Sequence, residues 1–129
     1  MRTKAREVAF QVVFASRFGE ADKGLKNALC KKEKLTKDDI EYCDKILSVI
    51  DEKEEEFSSI IDERSLAFPE SRLFPADKSV LLVALAEILY FDDIPRAVSI
   101  NEGANIASKY SSEKSASFIS GILSGVDKK

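Results

Sequence analysis

The stretch "KSVLLVALAEILYF", Lys78 to Phe91, decides how the rest of the chain is read. Val80, Leu81, Val83, Ala84, Leu85, Ile88 and Leu89 leave little polar circumference, so the helix they form is enclosed on every side. Glu87 interrupts the apolar run, which is far shorter than the ~20 residues needed to span a bilayer. The stretch is therefore the central helix of a globular fold. Asp77, shortly after Pro75, can begin it. Beyond it the "DDIP" turn brings Pro95 near the first position of the next helix, where its missing N–H is no loss. Ser111 or Ser112 marks the break before a last helix, Glu113 to Leu123, which ends at Gly125.

The helical period continues toward the N-terminus. A first helix is expected from Thr3 to Phe18, with Gly19 as a left-handed stop and Val8, Phe10, Val12 and Phe14 spread over a wide apolar face. A second follows from Asp22 to Lys32. Thr36, with Asp39 three residues on, makes a weak capping box opening a long helix lined by Ile40, Cys43, Ile46, Leu47 and Ile50. The acid run Asp51 to Glu56 is a solvated turn of that helix, and Phe57, Ile60 and Ile61 resume the apolar pattern before Phe68-Pro69 stops it. No segment sustains the period-two alternation of a half-buried strand, and the fold class is all-α. Residues 68–76 hold two of the three prolines and are the best boundary between two subdomains. A shared core over residues 1–129, one domain, is the simpler arrangement.

Composition narrows the chemistry. The chain of 129 residues is 44% hydrophobic, enough for a core without staples. It has no histidine, and Cys30 and Cys43 form no CxxC pair, so no zinc site or other metal is expected and the thiols read as buried and free. Histidine-dependent nucleophile pairs are excluded, and no glycine-rich phosphate cradle appears; no cofactor and no enzyme activity are expected. The head "MRTKAREVAF" lacks the apolar core of a secretory signal, which points to a cytoplasmic protein without a membrane segment. The net charge of −3 hides a basic head, +6 over residues 1–37, and an acidic middle, −9 over residues 38–70. Arg2, Arg6 and Arg17 fall where they could share a stripe on the first helix suited to phosphates.

The segment "AVSINEGANIASKY", Ala97 to Tyr110, poses a narrower question, since Asn101 and Glu102 sit in the middle of a helical pattern. The spacing Ala97, Ile100, Ala104, Ala107 gives a buried stripe with Asn101 on its flank. A half-buried amide there would bond a neighbouring helix end or loop carbonyl and pin the packing, while Glu102 would cap or pair nearby. As an acid–base pair of an enzyme the two residues would have no partner nucleophile or metal set.

Four segments, "AREVAFQVVF" (Ala5 to Phe14), "DKSVLLVALAEIL" (Asp77 to Leu89), "IPRAVSINEGANIASKY" (Ile94 to Tyr110) and "SFISGIL" (Ser117 to Leu123), resemble in order and spacing the bacterial NusB family of transcription antitermination factors. The resemblance is most specific at A-R-E-x-A-x-Q, P-x-x-V-x-I-N-E and F-x-x-G-[IV]-L taken together. It implies two small helical bundles packed crosswise in one domain, acting without catalysis. It also implies binding of single-stranded boxA RNA of ribosomal operons together with NusE, a small-subunit ribosomal protein, within the RNA polymerase antitermination complex.

Carried over residue by residue, the family's RNA-contacting head gives Arg6 and Gln11, with Arg2 and Lys4 standing in for a denser arginine cluster. Phe118 matches an aromatic that can stack on an unpaired base, and Lys114 stands where family members often carry Asp. The NusE-facing surface points to Glu87, Tyr90, Asp92 and Asp93. Two departures lie beside it: the family's Arg-[IVL]-A and Tyr-Glu become Leu82-Val83-Ala84 and Ala86-Glu87, although the acids would still attract a basic protein. Two other readings compete. One is a helical scaffold that forms a homodimer through Phe10, Phe14 and Phe18 of the first helix. The other is an RNA-targeting module of the kind fused to RNA cytosine methyltransferases, for which no methyl-donor fold fits before Lys129.

Overall fold

In the computed structural model, which describes residues 2–19, 23–65 and 73–128, the described residues form six helices and no strand. They are α1 (Arg2–Ser16), α2 (Lys23–Lys32), α3 (Lys37–Arg64), α4 (Pro75–Tyr90), α5 (Arg96–Tyr110) and α6 (Glu113–Leu123). Residues 66–72, and with them most of the expected subdomain boundary, lie outside the described residues. No helix among those described is long and apolar enough to cross a membrane.

The central role of α4 follows from its sequence: every residue from Ser79 to Leu89 is buried. The helix packs against α1, α3, α5 and α6. On one side α1 lies on α2 and α3, and on the other α5 lies on α6, so a group of three helices and a pair meet along α4. Phe10, Ile46, Phe57, Ile61, Ile106, Ile119 and Leu123 join α4 in one buried cluster. Each such side chain contributes about 1.5–3 kcal/mol by leaving water. Cys30 and Cys43 are both buried free thiols, and burial pushes the Cys43 thiol up to about 12.

Helix ends form where local chemistry satisfies orphan backbone groups. Thr36 accepts the Asp39 N–H at 3.2 Å, and Ser112 accepts the Ser115 N–H at 3.0 Å. Gly19, at φ 72°, is the left-handed stop after α1. After α2 the same conformation falls on Lys34, at φ 56°, and the Leu35 N–H reaches the Cys30 carbonyl at 3.0 Å. Pro75 is itself the first residue of α4, so Asp77 stands in its first turn and does not begin it. Pro95 caps α5 from one position outside the helix.

In α5 the expected stripe holds at Ala107, lies half-buried at Ile100 and Ala104, and fails at Ala97. The helix buries Ser99, Gly103, Ile106 and Ala107, while Ala97 and Asn101 are exposed. Small residues dominate the buried face because α4 and α6 lie close: a Cβ on Gly103 would meet Ala84, Val80 and Leu123 at 3.6 Å. Asn101 is therefore no half-buried pin.

Candidate nucleic-acid and partner interface

The residues singled out from sequence separate into a buried network, a polar band and two recessed surfaces. The buried network replaces two expected surface roles. Arg6 is only 3% exposed and Glu87 only 1%. The Arg6 Nε donates to both Glu87 carboxylate oxygens, at 2.8 and 2.7 Å, and its Nη2 donates to the Tyr42 hydroxyl at 3.3 Å. The Tyr42 hydroxyl in turn donates to Glu87. Burial disfavours the Arg6 cation, but the Glu87 charge and its hydrogen bonds outweigh this and raise its pKa. Burial and Glu87 together push the Tyr42 hydroxyl well above the usual tyrosine range. Arg6 is thus no phosphate contact and Glu87 no surface acid, because each is the other's buried counter-charge.

Glu102, half-buried on α5, accepts from Thr3 Oγ1 at 2.9 Å and lies 3.6 Å from the Arg6 guanidinium, tying α5 to the start of α1. Its neighbour Asn101 faces outward. The expected arginine stripe also dissolves at its far end, where Arg17 is held by both carboxylate oxygens of Glu54 at 3.0 and 3.1 Å.

A polar band crosses α1 toward the end of α5. Lys4 is exposed and pairs with Glu33 at 3.3 Å. Glu7 accepts from Lys109 and from the Tyr110 hydroxyl, and despite partial burial these donors hold its carboxyl below the ordinary range. Gln11 Nε2 donates to the same Tyr110 hydroxyl at 3.2 Å. The band thereby brings Gln11 to the C-terminal end of α5.

At the start of α6 a cavity of about 380 Å³ is lined by Leu73, Phe74, Asp77, Ser112, Lys114, Ser115 and Phe118. Lys114 is exposed and Phe118 half-buried, so the sequence-derived pair does share one recess. Phe74, 69% exposed at the mouth of α4, was not anticipated; its only sequence signal is an aromatic directly before the proline that starts a helix.

The second recess belongs to the other end of α1. Arg2, Asp38, Asp39, Glu41, Tyr42, Lys45, Phe91 and Asp93 line about 360 Å³. The Arg2 guanidinium sits 4.8 Å from the Tyr42 ring centroid and 3.5 Å from Asp93 Oδ2, which places Arg2 among acids, in a different recess from Lys114 and Phe118. Asp92 and Asp93 are exposed in the turn after α4. Tyr90, half-buried, donates to Glu56 at 2.6 Å and packs on Phe57. Leu82 and Ala86, where the family pattern has Arg and Tyr, are fully buried here. Lys128 Nζ donates to the carbonyls of Ile88 and Phe91 at 3.2 and 2.8 Å, closing the C-terminal end of α4 with a residue that sequence reasoning overlooked.

The aromatic row offered for a homodimer is largely internal. Phe10 is buried, stacked on Phe14 at 5.8 Å and tilted against Tyr110 at 4.9 Å. Phe18 alone of the three is exposed. Among the described residues no cluster of Cys, Asp or Glu side chains is arranged to hold a metal ion.

Comparison with known proteins bears on these surfaces as a set. The chain is 36% identical to the transcription antitermination protein NusB of Ruminiclostridium cellulolyticum over 98% of this chain and 88% of that protein. With the NusB of Finegoldia magna it shares 35% identity over 99% and 94%. The fold superposes on T. maritima NusB with a TM-score of 0.88 and 27% identity, covering 97% of this chain and 89% of that one. It also superposes on a chain in the crystal structure of antitermination factors NusB and NusE in complex with dsRNA, with a TM-score of 0.84 and 25% identity, covering 96% and 93%. The NusB family model matches residues 3–128, and the chain belongs to the NusB family.

Proposed function

We propose that this chain is a non-catalytic transcription antitermination factor of the cytoplasm, working as one domain. It binds single-stranded boxA-type RNA of ribosomal operons together with NusE and joins the RNA polymerase antitermination complex. The observation that carries the reading is the close match, over nearly the whole chain, to a fold captured with both NusE and dsRNA. The recess at α6 supports it, since an exposed cation and a half-buried aromatic line one cavity there. In this reading Lys114, Lys4 and Gln11 meet the sugar–phosphate chain and Phe118 stacks on a base. Asp92 and Asp93 belong to the NusE side, Arg2 beside Asp93 stands between that side and the RNA, and Arg6 with Glu87 holds α1 against α4 behind both.

The test is an RNA-binding titration of a labelled boxA-like strand, with and without NusE, at two salt concentrations. Lys114→Ala is expected to weaken binding to all sequences alike and to lower the salt slope by roughly 0.7, one single-strand phosphate contact. Phe118→Ala is expected to lose about 1–3 kcal/mol of binding with the salt slope unchanged. The reading fails if folded protein with NusE prefers a boxA-like strand no more than an unrelated one at physiological salt.

A further inference from the structure

The turn of residues 91–95, which carries Asp92 and Asp93 between α4 and α5, is gripped at both ends by the C-terminal segment 124–128. At the start of the turn the Lys128 ammonium donates to the carbonyls of Glu87, Ile88 and Phe91, at 3.5, 3.2 and 2.8 Å. These oxygens end α4, so a cation there meets both unsatisfied acceptors and the negative end of the helix dipole. At the other end Arg96, the first residue of α5, donates from Nη1 to the carbonyls of Ser124 and Val126 at 2.9 and 3.3 Å. Val126, 5% exposed, anchors the segment in the core as Ile94, 4% exposed, anchors the turn. Arg64, from the last turn of α3, lies over Gly125, where a Cβ would come within 2.6 Å of its Nη1. Asp92 and Asp93 stand exposed between the two grips.

We infer that residues 124–128 form a clasp that holds the Asp92–Asp93 turn in the conformation NusE recognises, with Lys128 and Arg96 as positioning residues that act through the turn. The inference rests on the reading that Asp92 and Asp93 face NusE, and adds the part of the chain that presents them. A short polar turn left to itself samples several backbone conformations, and a partner that needs one of them loses affinity to the ordering. The clasp supplies that order in the free protein. Its two cations are occupied with carbonyl oxygens, and neither is paired with Asp92 or Asp93.

Long-range electrostatics predicts the opposite sign for the same two residues. Lys128 and Arg96 add positive charge close to acids that attract a basic partner, so removing either would tighten NusE if charge alone decided. The clasp requires their removal to weaken it.

The experiment titrates NusE calorimetrically into the full chain, unaltered and as Lys128→Ala, Lys128→Arg and Arg96→Ala, with a circular-dichroism melt of each. Either alanine variant is expected to weaken NusE roughly three- to tenfold and to leave boxA-like RNA, measured without NusE, within about twofold. Lys128→Arg keeps a donor cation at the end of α4 and should retain most of the affinity. Amide hydrogen exchange at Asp92, Asp93 and Ile94 should quicken several-fold in Lys128→Ala while the amides of α1 keep their rates. A lowered melt with NusE affinity unchanged, or NusE tightened by either alanine variant, would overturn the inference while the reading of Asp92 and Asp93 stands. Weakened NusE with unaltered exchange in the turn would show Lys128 touching the partner directly, and would overturn it as well. No binding of NusE to the unaltered protein, or binding indifferent to Asp92→Asn and Asp93→Asn together, would overturn that reading and the inference with it.

Discussion

Glu87 is the only charged residue between Ser79 and Leu89, and its environment explains why it is tolerated. Two hydrogen bonds from Arg6 and one from Tyr42 replace the water it has lost. Such a pair contributes little net stability when whole, yet losing one partner strands a buried charge. Glu87→Ala is expected to lower stability by about 3–5 kcal/mol in urea denaturation, and the double variant Arg6→Met/Glu87→Leu to lose less than the single one. A NusE-binding defect in Glu87→Lys would consequently report a damaged core, since the new cation would face Arg6. Asn101 gives the opposite case. It is exposed on a helix where Ala is the better helix former, so Asn101→Ala should leave the thermal midpoint unchanged or slightly higher, within ~0.5 kcal/mol. A clear loss of stability on that change would show a partner for the amide that the fold does not provide.

Among the helices, the buried run of α4, the Thr36 and Ser112 caps and the Gly19 stop were legible in sequence because their signals are local. A continuous apolar run, a Thr or Ser followed by a free N–H three residues on, and a glycine after the last apolar position each act through their own neighbours. The buried face of α5 was not legible. Ser99 and Gly103 do not count as apolar, yet their small size is what lets α5 approach α4 and α6, while the more hydrophobic Ala97 and Val98 are left outside. The Arg6–Glu87 pair was missed for a different reason: its members are 81 residues apart, and the only hint was an acid inside a wholly buried run. The turn after α2 was missed as well, because Lys34 occupies a left-handed conformation that sequence habit assigns to glycine or asparagine. Exposed and outside any helix, Lys34 can be replaced there without loss of packing. Lys34→Gly is expected to raise stability by about 1 kcal/mol, read from the urea midpoint at constant slope.

For the molecule as a whole, the separation of Arg2 from Lys114 and Phe118 changes what the basic head does. Arg17 has a carboxylate partner at 3.0 Å and its side chain is only 22% exposed, so part of the head's charge is spent on holding helices together. Arg2 is placed differently, with its side chain 51% exposed and Asp93 65% exposed at 3.5 Å. A pair so open to water is worth only about 0–1 kcal/mol and exchanges readily for other partners. RNA phosphate passing the N-terminus of α1 would draw Arg2 away and leave Asp93 with its full charge toward a basic NusE. Binding of RNA and NusE would then be mutually favourable, by the same factor in either order. From the weakness of the pair, RNA is expected to tighten NusE about two- to fivefold through this contact at low salt, and less as ionic strength rises. Calorimetric titration of NusE into the protein, with and without RNA, measures that factor. Arg2→Ala should tighten NusE in the absence of RNA and shrink the factor toward one, whereas Asp92→Asn should weaken NusE equally in both titrations. A factor that survives Arg2→Ala intact would place the coupling elsewhere on the surface.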